Sequence, residues 1–259
     1  MNTENCKAII VPLRLRILNT DSMLKRNAVF LTLSLMLVVA LGLVILFIPK
    51  GELHLLLCDR HTAGRDFFYS HITDLAAYFP YIVCLLLLLF SRIGDGIFGF
   101  NALLFSGLVT QCCKRFANTP RPLTWFAQNM PDVQLPLTEG VDMNYWYSFP
   151  SGHATSFFAL AFILSIVATR WLANSSKNGQ TEQWSDNASG LTSLSEAVQF
   201  LCFAFAALGC YSRLYLSQHF AIDILVGILI GILITMLVYA VFLPLENKKW
   251  YNYCLFAKK

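Results

Sequence analysis

Residues 28–48 read AVFLTLSLMLVVALGLVILFI, 21 consecutive positions without a charge. An α-helix rises about 1.5 Å per residue, so such a run matches the roughly 30 Å hydrocarbon core of a bilayer. Within that core every backbone N–H and C=O must bond inside its own segment, which selects a helix. The run begins late for a signal peptide and is followed by Pro49-Lys50-Gly51-Glu52 without a small-x-small cleavage pattern, so it reads as a retained anchor. Outward from it lie further apolar runs at Leu75–Ser91, Gly96–Cys113, Ala154–Thr169, Ala197–Tyr211 and Ile224–Leu243. The expected fold is all-α, a polytopic bundle of six transmembrane helices over residues 28–245, flanked by cytoplasmic segments 1–27 and 246–259.

Composition agrees. Of 259 residues, 56% are hydrophobic and 13% charged, which excludes a disordered chain or an ordinary cytosolic domain. The net charge of +4 is too small and too dispersed for a nucleic-acid binder. Cys84, Cys112, Cys113, Cys202 and Cys210 fall in apolar stretches and no two cysteines are spaced CxxC, so small buried hydrophobes are expected in place of disulfides or zinc ligands. Twelve of the 19 Lys and Arg residues, nine in the two end segments together with Arg92, Arg170 and Lys177, fall on one side, which places both termini in the cytoplasm by the positive-inside rule. The connector 175–193 is rich in Asn, Ser and Gly and reads as a flexible cytoplasmic linker; the sequons at Asn174 and Asn187 matter only for the inverted topology.

On that topology the forty residues from Lys114 to His153 face outward, as do three short segments at membrane boundaries: Lys114-Arg115-Phe116-Ala117-Asn118-Thr119-Pro120-Arg121-Pro122, Ser148-Phe149-Pro150-Ser151-Gly152-His153, and Ser212-Arg213-Leu214-Tyr215-Leu216-Ser217-Gln218-His219-Phe220-Ala221-Ile222-Asp223. Together they bring three cations, two imidazoles, a carboxylate and a Ser-Gly turn to one depth. Lys114, Arg121 and Arg213 suit the charge of a phosphoryl group during transfer. Ser151 and Gly152 precede a helix whose free N–H groups favour an anion. His219 and Asp223 stand four apart, so if the sixth helix has begun there the carboxylate can accept a hydrogen bond from one imidazole nitrogen and orient the other, which makes His219 the nucleophile candidate and leaves His153 to protonate a leaving alkoxide. Each segment alone has a plainer account: boundary cations snorkel to headgroups, and Ser before an apolar run caps a helix. The three in order, on one face, are what point to phosphate chemistry.

These segments closely resemble the type-2 phosphatidic acid phosphatase superfamily, whose motifs are K-x6-RP, PSGH and SR-x5-H-x3-D. Every position is matched: Lys114, Arg121 and Pro122; Pro150, Ser151, Gly152 and His153; Ser212, Arg213, His219 and Asp223. The resemblance implies a metal-independent lipid phosphate phosphatase without a cofactor. In it His219 becomes a phosphohistidine, Asp223 orients it, His153 is the acid, the cations with Ser151 and Gly152 hold phosphate, and water releases it with help from His153. It implies a lipid phosphate substrate drawn from the bilayer. Lipid A phosphate, undecaprenyl diphosphate, phosphatidylglycerol phosphate and phosphatidic acid are among the family's substrates, and the long aromatic outer loop with the stretch Tyr211 to His219 resembles bacterial envelope members, lipid A phosphatases being a leading candidate. A bacterial inner membrane, with the site facing the periplasm, is the expected location.

Other readings stay open. A phosphotransferase uses the same intermediate. A transporter of phosphorylated lipid shares the cations but places charges at mid-membrane, where these spans have none. Vanadium haloperoxidases share the pocket but are soluble. The acidic, His-bearing stretch around His54, His61 and His71 matches no metal template and reads as a solvated, partly helical surface loop. Trp125, Phe126, Tyr145, Trp146 and Tyr147 are candidates for a substrate entrance or an aromatic belt. Gly227 and Gly231 form a Gly-x-x-x-Gly pair expected to let helices pack closely inside the bundle; a homo-oligomer through it has no further support.

Overall fold

The computed structural model describes residues 22–178 and 185–256, with side chains described except at 175–178, 185–189 and 191. Among the described residues the regular structure is helical: α1 Ala28–Phe47, α2 Lys50–Cys58, α3 Ala63–Asp74, α4 Phe79–Phe90, α5 Ile93–Ala117, α6 Pro122–Asn129, α7 Gly152–Asn178, α8 Ser185–Tyr215 and α9 Ala221–Phe242, with a 3-10 turn at Leu243–Asn247. Five helical stretches are long and apolar enough to cross a membrane, and the bent pair α3 and α4 makes up to six.

That pair corrects the second expected span. Leu75–Ser91 is not one helix; the chain breaks after Asp74, and α3 and α4 meet at 51°. Pro80 explains the break, because it has no N–H to give the carbonyl of Ala76, so the helix restarts around it. The connector 175–193 is also not a simple flexible linker: α7 continues to Asn178 and α8 starts at Ser185, while residues 179–184 lie outside the described residues, as do residues 1–21 of the N-terminal segment.

Helix α7 is the central element, with Ala154 and every residue from Phe157 to Ile163 buried. The long helices α5, α8 and α9 all lie against it. On α9, a Cβ at Gly227 would stand 2.6 Å from the Ser151 carbonyl oxygen, and one at Gly231 2.7 Å from that of Thr155. The glycine pair therefore does serve packing within the bundle, and α7 occupies its face. Large apolar side chains on α1, α8 and α9, such as Leu46, Phe47, Leu201, Leu237 and Val241, are exposed, as expected of surfaces that face lipid.

The end of the bundle away from the three motifs is closed by polar groups. Gln199 accepts from the first amides of α1, Val29 at 3.1 Å and Phe30 at 3.3 Å, while Asn27 accepts from Ser165 at 2.6 Å, so these buried helix-start groups are satisfied. Asp95 at the start of α5 binds Arg170 of α7 and Arg92, and Glu246 binds Arg170 at 3.2 Å. Residues beyond Glu246 fold back on α5, where the amides of Ile93 and Gly94 donate to Tyr253 and Tyr251. Both described ends of the chain therefore lie opposite the motifs.

The seven cysteines described are free. Cys84 and Cys210 are buried as expected, but Cys112 is exposed. The stretch around His54 is not simply solvated either. His54 is buried on α2 against Phe126 and Phe220, and His61 bonds Asp66 at 2.9 Å and stacks on Tyr215.

Candidate active site

Five helix ends supply the site. Lys114 lies in the last turn of α5, and Asn118 turns the chain out in a left-handed conformation, φ 38°. Arg121 and Pro122 open α6, Pro122 occupying a first-turn position where its missing N–H costs nothing. Ser151 precedes α7, where its hydroxyl accepts from the Ala154 amide at 3.3 Å and caps the helix. Arg213 lies in the last turn of α8 and Ser212 beside it bonds back to the Gly209 carbonyl at 2.6 Å. The chain then reverses through Ser217, φ 51°, so that the His219 amide returns to the Arg213 carbonyl at 3.2 Å. Asp223 sits in the first turn of α9 and holds the Phe220 amide at 2.9 Å.

The outer loop ties these ends together. Ser148 N donates to the Thr119 carbonyl at 3.0 Å, Arg121 N to that of Tyr145 at 2.9 Å, and Ser151 N to that of Asp223 at 2.9 Å. The first segment is thereby laced to the second, and the second to the third. The cations are held by neutral groups. Lys114 Nζ donates to the Tyr147 carbonyl at 2.6 Å; Arg121 donates to the Trp146 carbonyl at 3.1 Å and to Gln218 Oε1 at 2.9 Å; Arg213 Nη1 donates to Thr73 Oγ1 at 2.5 Å. Gln218 in turn donates to the Asp142 carbonyl at 3.0 Å.

His153 and His219 lie within electrostatic reach of Lys114, Arg121 and Arg213. Burial, reinforced by Arg121, Arg213 and Lys114, holds the His219 imidazole well below its ordinary pKa of 6.5, so it is neutral and able to act as a nucleophile. Three cations held by uncharged acceptors around two imidazoles, with Asp223 the neighbouring carboxylate, make a site for an anion.

One expected contact differs. His219 precedes α9 and is not on it, and its Nδ1 stands 3.5 Å from Asp223 Oδ2, close enough for an ion-pair contact but without a hydrogen bond. The carboxylate oxygen is occupied by Ser148 Oγ, at 2.5 Å, and by the Phe220 amide. Ser148, Gln218 and Thr73 support the site although the motif pattern assigned them nothing. The first two lie inside the quoted segments; Thr73 has no local signal. Of the aromatic candidates, Tyr145, Trp146 and Tyr147 are exposed beside the site, whereas Phe126 is buried against His54 and Trp125 packs edge-on to Phe220. Arg115 is exposed and outside the cluster.

With this geometry in hand, comparison with known proteins decides the family. The PAP2 superfamily model matches residues 95–246, more than half of the chain and all three motifs. The chain belongs to the PAP2 superfamily. Among solved structures, LpxE of Aquifex aeolicus is similar at 25% identity and a TM-score of 0.52, over 74% of this chain and 95% of that one. A search of curated proteins found no match. PAP2 membership and the LpxE-like fold support a lipid phosphatase. The family segment begins at Asp95, so α1 to α4 lie before it, including the helix that bears Thr73.

Proposed function

We propose that this PAP2 protein hydrolyses a phosphate monoester or diphosphate on an envelope lipid through a phosphohistidine at His219. The observation that carries the reading is the gathering of Lys114, Arg121, Arg213, His153 and His219 from five helix ends. With Nδ1 turned to Asp223, the other ring nitrogen, Nε2, attacks phosphorus as the P–O bond to the leaving group breaks; His153, protonated once the phosphate anion lies beside it, gives its proton to the departing oxygen, that of an alkoxide from a monoester or of a lipid phosphate from a diphosphate. Lys114, Arg121 and Arg213, with Ser151 and Gly152 at the start of α7, hold the equatorial oxygens. Water then attacks phosphorus as His153 takes its proton, the P–N bond breaks with its electron pair returning to Nε2, and inorganic phosphate leaves with His219 restored. No step calls for a metal. A site at the membrane boundary suits a lipid whose phosphate is wet and whose chains are not. Both described ends of the chain lie opposite the site, which accords with cytoplasmic termini and a periplasmic centre in a bacterial inner membrane.

The test is release of inorganic phosphate by the purified protein and by His219→Ala from lipid A, undecaprenyl diphosphate, phosphatidylglycerol phosphate and phosphatidic acid, with lipid products identified by mass. Release that depends on His219, undiminished by EDTA and inhibited competitively by vanadate, is expected. Phosphate appearing on a second lipid in place of free phosphate identifies a transferase, and loss on chelation with recovery on metal addition contradicts the mechanism.

A further inference from the structure

Helix α3 lies outside the family segment, yet its last turn reaches into the site. Thr73 is buried there and its hydroxyl oxygen is 2.5 Å from Nη1 of Arg213, itself buried. The bend between α3 and α4 follows directly, so the broken span places this turn against α8. Nη1 is the guanidinium nitrogen on the Cδ side. With it engaged, the Nε–Nη2 edge, the one that pairs bidentately with an oxyanion, is left over. Nε is buried and has no hydrogen-bond partner among the described residues. A buried charged donor left without an acceptor is costly, which marks that edge as awaiting an anion.

The chemistry of the anchor matters. Asp74, next along the chain, acts on Arg213 electrostatically but forms no ion pair with it among the described residues. A carboxylate bonded to Arg213 would compete with phosphate, whereas a hydroxyl fixes the guanidinium and leaves its charge available. Threonine's β-branched side chain is also stiff, with few rotamers through which the anchor could drift.

We propose that Thr73 is a positioning residue: by holding Nη1 it presents the Nε–Nη2 edge of Arg213 to the transferring phosphoryl group. The inference rests on Arg213 being a phosphate ligand, as proposed above. Thr73→Val keeps the shape and removes the oxygen. It is expected to lower kcat/KM about tenfold and to weaken vanadate inhibition by a similar factor, in line with a hydrogen bond to a charged group. The melting temperature should hardly move. Thr73→Ser should restore most of the loss, and Thr73→Val added to Arg213→Ala should cost nothing further. A Thr73→Val enzyme within about twofold of wild type, or a loss that adds fully to that of Arg213→Ala, overturns the proposal. Should Thr73→Val not accumulate as folded protein, Thr73→Ser against Thr73→Ala carries the same comparison. A wild-type protein that hydrolyses no lipid phosphate counts against the proposed activity; an active one indifferent to Thr73→Val counts against this role.

Discussion

The imidazole of His219 is 1% exposed and surrounded by cations, and both conditions penalise its protonated form. A lowered pKa keeps it unprotonated below its ordinary value, so the acid limb of kcat/KM should lie below pH 6.5 once the second ionisation of the substrate's phosphate, near pH 6, is allowed for. Arg121→Gln removes one of those cations, raises the imidazole pKa and should move the limb to higher pH, as a pH-rate profile would show. A limb that stays in place on this substitution would separate His219 from the titration. The motif residues were legible in the sequence because phosphate chemistry constrains type and spacing together. Their supports were not: Ser148 reaches Asp223 across 75 residues and Thr73 reaches Arg213 across 140, contacts to which no local pattern corresponds. The expected His219–Asp223 hydrogen bond failed for a related reason. Spacing of four is a helical neighbour relation, and the helix starts only at Ala221.

At the scale of the element, close approach of α9 to α7 sets the site. Gly227 meets the Ser151 carbonyl on one side of the turn where Ser151 N bonds the Asp223 carbonyl, so packing and catalytic register share one contact. Gly227→Ala should push the helices apart, costing about 1–3 kcal/mol in stability and most of the phosphatase activity. Gly107→Ala is the control, since a Cβ there meets nothing within 4 Å; it should leave both melting temperature and turnover near wild type. Five of the six apolar runs were legible as helices because an uncharged stretch of bilayer length leaves the backbone little choice. The second was misjudged as continuous because hydropathy does not register the missing N–H of Pro80. The helices extending through 175–178 and from Ser185 show the converse, polar composition suggesting a linker where the chain continues as helix.

Over the whole molecule, the two ends of the bundle divide the work. The end holding the described termini carries the Asp95–Arg170–Glu246 network, far from the motifs, and it joins α5 and α7 to the segment after α9. Asp95→Ala leaves Arg170 buried without its nearest carboxylate, for which a loss of about 3–5 kcal/mol is expected. Read as a lower melting temperature in detergent, it should accompany an unchanged KM in the folded fraction; a raised KM would mean that the two ends are coupled. The opposite end gathers Lys114, Arg121, His153, Arg213 and His219, and the central claim is that His219 carries the phosphoryl group there. The most direct test is a rapid base quench of the protein during turnover of a lipid phosphate substrate, followed by mass analysis of the peptide that contains His219. A single phosphoryl group on His219, accumulating within the first turnover and absent from His219→Ala, is the predicted result; full turnover with that peptide never modified, or with phosphate on another residue, would contradict the account.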